Sequence, residues 1–129
     1  DQPRYFMGLG DPVGLVEAVR LGVDMFDCVL PTRHARHGTL LTSEGRLNLR
    51  NARFADDDGP LDPDFDGDGT GRYSRAYLRH LLMVDEPTAA RVLTLHNVSW
   101  TLDLVDRMRR SIAEGTFESL RRRGIEVWS

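Results

Sequence analysis

Apolar and polar positions fall into two periods along this chain. Pro3-Arg4-Tyr5-Phe6-Met7-Gly8 is a short apolar run that reads as a buried strand, ending in the turn Gly8-Leu9-Gly10-Asp11-Pro12. From Val13 to Leu21 the residues Leu15, Val16 and Val19 lie at helical spacing, with Asp11 suited to the N-cap, Pro12 to the first helical position and Gly22 to the stop. Val23 to Leu30 returns to an extended apolar run that ends at Pro31. Strand, helix and strand in this order have the length a right-handed crossover needs, so a parallel sheet or barrel is predicted.

Beyond Pro31 the period changes. Thr39 to Thr42 and Arg46 to Arg50 are short alternating segments around Ser43-Glu44-Gly45, the signature of a hairpin. Residues 55–72 interleave seven aspartates with glycines and offer almost nothing to bury, which predicts a loop. Ser74 can cap a helix carrying Tyr77, Leu78, Leu81 and Leu82, and Pro87 opens a second helical stretch. Leu102, Val105, Met108 and Ile112 then trace one face of a last helix, which Gly115 interrupts.

Composition narrows the function classes. The chain has 129 residues and a formal net charge of -3, and all 17 of its basic residues are arginines. Arginine offers planar, bidentate donors to phosphate, so RNA stays open as a ligand despite the acidic total. No apolar stretch approaches the roughly 18 residues that cross a bilayer, and no basic-then-apolar leader opens the chain, so neither a membrane nor a secretory setting is expected. Cys28 stands alone, so it can form neither an internal disulfide nor a thiolate cage; a reducing compartment, the cytoplasm, is expected. A first residue of Asp1 followed directly by a strand suggests a segment of something longer.

Asp27 is the foremost chemical candidate. It sits in the apolar run Met25-Phe26-Asp27-Cys28-Val29, near the end where the strand gives way, and strand C-terminal ends carry the sites of parallel α/β folds. Burying a carboxylate there costs several kcal/mol unless it is paired or hydrated, and the alternative to a functional role is a structural ion pair with Arg33 or Arg36. Gly8-Leu9-Gly10 lacks the third glycine of a dinucleotide fingerprint and the Gly-Lys-Ser/Thr of a P-loop, so a tight strand-to-helix turn is the better reading than a phosphate cradle. Thr32-Arg33-His34-Ala35-Arg36-His37 reads as a basic loop, either solvated or, with Arg50 and Arg53, contacting phosphate. Asp64-Phe65-Asp66-Gly67-Asp68 imitates half of a calcium loop, yet Arg75 stands where such a loop needs a bidentate glutamate. His96 lies on a helix and by itself reads as satisfied or exposed.

Taken in order, the segments Arg4 to Gly10, Gly22 to Arg33, Asn48 to Arg53, Gly59 to Pro63 and Tyr73 to Leu81 resemble the C-terminal third of bacterial tRNA-guanine transglycosylases, the queuine tRNA-ribosyltransferases. The resemblance implies the C-terminal part of a (β/α)₈ TIM barrel of α/β class with an inserted, normally zinc-binding, small subdomain. On it, residues 1–38 are the last strand-helix-strand units with the active-site loop, 39–85 the hairpin and subdomain, and 86–129 the C-terminal helices. It implies exchange of the wobble guanine of tRNA for a 7-deazaguanine base of preQ1 or queuine type. Asp27 matches the nucleophile, which holds the ribose as a covalent intermediate. Met7 and Gly8 match the wall of the base pocket. The stretches Gly8, Leu9, Gly10, Asp11, Pro12, Val13 and Gly14, and Thr32, Arg33, His34, Ala35 and Arg36, match the segments that recognise the tRNA anticodon stem-loop. A homodimer is implied as well.

Two departures accompany the resemblance. The family's zinc is held by a Cys-x-Cys-x-x-Cys cluster and a histidine, and here the three cysteine positions read Phe65, Gly67 and Thr70, with only His96 surviving. A thiolate zinc site is thereby excluded, and the segment Asp58 to Tyr73 is expected to be looser or held by something else. Calcium or magnesium at Asp62, Asp64, Asp66 and Asp68 is the alternative metal. The family's general acid/base and most of its base pocket belong to an N-terminal portion outside these residues, so the segment alone is expected to be inactive and prone to aggregate through open strand edges. Competing readings are a non-catalytic tRNA-binding partner subunit and, last, base exchange in DNA; Asp27 speaks for catalysis, the lost cysteines for the subunit.

Overall fold

A computed structural model of the chain describes residues 2–129, apart from the side chain of Asp68. Two compact units emerge, Asp1–Leu30 with Thr101–Ser129, and Pro31–Trp100. They divide the chain at other points than the three segments expected from the sequence.

In the first unit β1 (Tyr5–Met7) and β2 (Met25–Asp27) pair in parallel, Met7 opposite Asp27, with α1 (Pro12–Arg20) as the crossover. The start of α1 follows its sequence signals: the Asp11 side chain accepts from the Gly14 N–H at 2.7 Å and Pro12 fills the first turn, where no N–H is needed. Gly10 is required by packing, because a Cβ there would stand 2.3 Å from the Cβ of Cys28. The expectation of a buried first strand is corrected: Tyr5, Phe6 and Met7 are 53%, 50% and 74% exposed. Parallel strands are buried only when both faces are covered, and among the described residues no third strand joins this pair.

The second extended run also ends sooner than expected. β2 stops at Asp27, and α2 (Leu30–Arg36) occupies the stretch read as a basic loop. The physical reason is Pro31, which terminates a strand and opens a helix equally well; here it sits in the first helical turn.

α4 (Pro87–Glu114) is a single helix of 28 residues, so the expected division between its Pro87 and Leu102 stretches is corrected. In its second half the buried stripe is Leu104, Met108 and Ser111, whereas Leu102 and Ile112 are exposed. Both stripes obey the 3.6-residue period and share Met108; the sequence pattern picks out the neighbouring one. Gly115, at φ 73, interrupts the helix as expected, and α5 (Phe117–Trp128) follows.

The second unit is built on the predicted hairpin, β3 (Thr39–Thr42) against β4 (Gly45–Asn48), with Leu40 opposite Leu47 across a two-residue turn. Its core joins Leu40, Leu47 and Leu49 to Phe54, Leu61, the Leu78, Leu81 and Leu82 face of α3 (Arg75–Met83), and Val92 and Leu93 of α4. Ser74 caps α3 through the Tyr77 N–H, as its sequence position predicts.

The aspartate-rich segment is where the structure departs most from the sequence reading. Leu61, Asp62 and Thr70 are all buried, so the segment is packed. Its aspartates act as local acceptors: Asp57 takes the Gly59 N–H, Asp66 the Gly71 N–H, and Asp62 the N–H groups of Ser43 at 2.6 Å and Asp64 at 3.0 Å, the Ser43 hydroxyl and the Trp100 indole N–H at 3.1 Å. Arg75 fastens the segment further, donating to the Leu61 carbonyl and pairing with Glu44 and Asp57. Asp62→Ala is therefore expected to cost about 3 kcal/mol, since the Ser43 and Trp100 donors would lose their acceptor away from water; urea unfolding followed by tryptophan fluorescence measures it. Among the described residues no helix is long and apolar enough to cross a membrane.

Candidate functional site

Asp27 ends β2 with its side chain exposed and directly across from Met7. Two neutral donors hold it: the Tyr5 hydroxyl donates to Oδ1 at 2.7 Å and the Gly8 N–H donates to the same oxygen at 3.1 Å. Oδ2 receives neither of these bonds. The register explains the arrangement, because Tyr5 lies two residues before Met7 and so on the same face of β1. Gly8 contributes its N–H from a left-handed backbone, φ 78, that a side chain would strain.

The Tyr5 hydroxyl, and after it the Gly8 N–H, hold the Asp27 carboxyl below the usual carboxylate range. The same bond raises Tyr5, whose proton faces a carboxylate. Asp27 is thus kept ionised to lower pH than an unassisted aspartate. Tyr5→Phe removes the leading donor, so the pKa of Asp27 is expected to rise towards its ordinary value, which NMR titration of the Asp27 carboxyl in the full-length protein measures. Tyr5 escaped the sequence reading as a functional residue because its partner is 22 positions away; the parallel register was the signal that could have found it.

Met7 and Gly8, the expected base-pocket residues, are exposed beside Asp27. In the expected tRNA-contacting stretch Gly8–Gly14 the structure separates surface from interior. Gly8 is exposed and Leu9, Val13 and Gly14 are half-buried, but Gly10 and Pro12 are buried, and the Asp11 carboxylate is committed to capping α1. With the Gly8 N–H on Asp27 and the Gly14 N–H on Asp11, the turn is a strand-to-helix connection rather than an anion cradle.

In the second unit α2 presents Arg33, Arg36 and the following His37 outward, while Thr32 and His34 are half-buried. Ala35 is fully buried in the core cluster; the helix turns Pro31 and Ala35, four apart, to the same inner face. Burial first, and then the charges of Arg46, His37 and Arg33, push His34 below its ordinary pKa. Arg50 is occupied, donating to the Leu82 carbonyl at 3.2 Å, whereas Arg53 is exposed with its guanidinium 4.6 Å over the Phe54 ring.

Phe65, Gly67, Thr70 and His96, the four positions that the resemblance sets at zinc ligands, come together in the second unit. The Phe65 ring meets His96 edge-on, centroids 5.6 Å apart, and the Thr70 hydroxyl lies 3.4 Å from His96 Nδ1. A Cβ on Gly67 would fall 2.2 Å from the Phe65 ring. An aromatic ring, a glycine, a hydroxyl and one imidazole are not a donor set for tetrahedral zinc. Of the aspartates expected to take calcium or magnesium, Asp62 and Asp66 accept from backbone donors and the Asp68 side chain lies outside the described residues; among those residues no three His, Cys, Asp or Glu groups gather as a cage.

Comparison with known proteins fits this arrangement. The family model described as queuine tRNA-ribosyltransferase matches residues 1–129. A queuine tRNA-ribosyltransferase of Caulobacter vibrioides is 53% identical over 122 residues, 95% of this chain and 33% of that protein. One from Bacillus mycoides is 49% identical over 128 residues, 99% of this chain and 34% of its own, and one from Koribacter versatilis 54% over 115 residues, 89% and 30%. The chain spans about a third of the length of the curated relatives it matches. With the family model matched from end to end, the chain belongs to the queuine tRNA-ribosyltransferase family.

Proposed function

We propose that the full-length protein is a tRNA-guanine transglycosylase, a pentosyltransferase of queuosine biosynthesis, and that this chain supplies its nucleophile. The observation that carries the reading is the exposed Asp27 carboxylate at a strand end, anchored through Oδ1 by Tyr5 and Gly8, with Oδ2 taking neither bond. Oδ2 attacks C1′ of the wobble ribose as the bond to guanine N9 breaks through an oxocarbenium-like transition state, and the electron pair leaves with the base. A general acid outside these residues protonates the departing guanine. The incoming 7-deazaguanine then attacks C1′ from the opposite side, loses its N9 proton and releases the carboxylate. Two inversions give net retention.

On the same reading the first unit is a βα repeat of a (β/α)₈ barrel, the exposed face of β1 and β2 is covered by the rest of that barrel, and the protein works as a cytoplasmic homodimer on the tRNA anticodon stem-loop. Arg33 and Arg36 of α2 contact its phosphates or base edges.

Incorporation of labelled guanine into tRNA by the full-length protein tests the proposal, together with a tRNA–protein adduct that survives denaturation. Specific tRNA binding with neither exchange nor adduct would instead favour the partner-subunit reading.

A further inference from the structure

The substituted zinc positions are not an empty remnant. His96 is completely buried on α4, and its Nε2 lies 2.8 Å from the Leu41 carbonyl. A carbonyl only accepts, so Nε2 carries the proton and Nδ1 bears the lone pair. That lone pair faces Thr70, whose hydroxyl is 2.9 Å from the Gly67 carbonyl and 3.4 Å from Nδ1. This is the orientation of a metal-binding imidazole, its far N–H steadied by a backbone carbonyl, but among the described residues no three potential metal ligands gather around it. What stands there is the Phe65 ring, edge-on to the imidazole and filling the space that any side chain at residue 67 would need. Phe65 and Gly67 are therefore a matched pair, large beside none.

We propose that the Phe65 ring, together with the Thr70 hydroxyl, replaces both metal and thiolates, closing residues 58–73 around His96 as a zinc-independent plug. The segment is then secured by contacts that a chelator cannot remove: the Phe65 ring on His96, the Thr70 hydroxyl donating to the Gly67 carbonyl, and the Asp62 acceptor on Ser43 and Trp100. The inference rests on family membership and on the packing, so an inactive protein would leave it standing.

The test uses the full-length protein expressed in zinc-supplemented medium. Metal analysis is expected to find zinc well below one per chain, and the melting temperature to be the same with and without a strong chelator. Stoichiometric zinc whose removal lowers the melting temperature would overturn the proposal. A double-mutant cycle examines the pairing directly. Gly67→Ala is expected to lower the melting temperature when Phe65 is present and to have little further effect in a Phe65→Ala background; equal effects in both backgrounds would overturn the pairing. Finally, Phe65→Cys/Gly67→Cys/Thr70→Cys is expected to gain one cobalt or zinc per chain with thiolate-to-cobalt absorption. A folded triple variant that binds neither would show that His96 Nδ1 is not aimed at the former metal position, and would likewise overturn it.

Discussion

Asp27→Asn in the full-length protein is expected to lower base exchange by roughly a thousandfold or more, the scale on which removing a covalent nucleophile acts. The amide is a sharp substitution because the local hydrogen bonds orient it. Tyr5 and Gly8 both donate to Oδ1, so the carboxamide places its oxygen there and its NH₂ where Oδ2 stood. An amide nitrogen with its lone pair delocalised cannot displace guanine from C1′. The fold has no reason to change, since both donors keep their acceptor, and tRNA affinity is expected to stay close to that of the wild type. Steady-state exchange of labelled guanine, with tRNA binding measured alongside, separates the two effects. Exchange that persists at the wild-type rate would place the nucleophile elsewhere and remove the basis of the catalytic reading.

Asp27 stands out as a candidate in the chain because a carboxylate in the apolar run Met25 to Val29 is an anomaly visible without coordinates. Its anchoring does not, because Tyr5 and Gly8 reach it from 22 and 19 positions away, through a strand register that local pattern does not specify. The same contrast runs through the fold. α1 was legible to the residue at its start, since Asp11 and Pro12 are local signals acting on the neighbouring turn. α2 was not, since Pro31 is compatible with ending a strand and with opening a helix, and tertiary packing of Ala35 decides between them. The aspartate-rich segment misleads for a related reason. Composition counts its carboxylates as solvated charge, whereas Asp62 is an internal acceptor whose donors, Ser43 and Trp100, lie 19 and 38 positions off. The Phe65–Gly67 exchange of volumes is likewise a fact of packing that substitution at ligand positions can only hint at.

Asn97→Ala is expected to be the most destabilising single change in the Pro31–Trp100 unit, at about 3–5 kcal/mol. The Asn97 side chain is wholly buried on α4 and satisfies three backbone groups at once: Oδ1 accepts from the Leu41 N–H at 2.9 Å, and Nδ2 donates to the carbonyls of Pro31 at 3.1 Å and Thr39 at 2.9 Å. One amide thus fixes the first turn of α2 and both ends of the Thr39–Leu41 stretch of β3 to the helix. Alanine leaves these three groups without their partner in a site closed to water, each costing about 1–3 kcal/mol, and adds a small cavity. Asn97→Asp should serve the unit no better, because it keeps the acceptor for Leu41 but turns a second oxygen towards two carbonyls. Urea unfolding reported by the buried Trp100 gives the magnitude. Hydrogen exchange at the Leu41 amide in the full-length protein gives the place, and an exchange rate unchanged by either substitution would show that Asn97 does not hold β3 to α4.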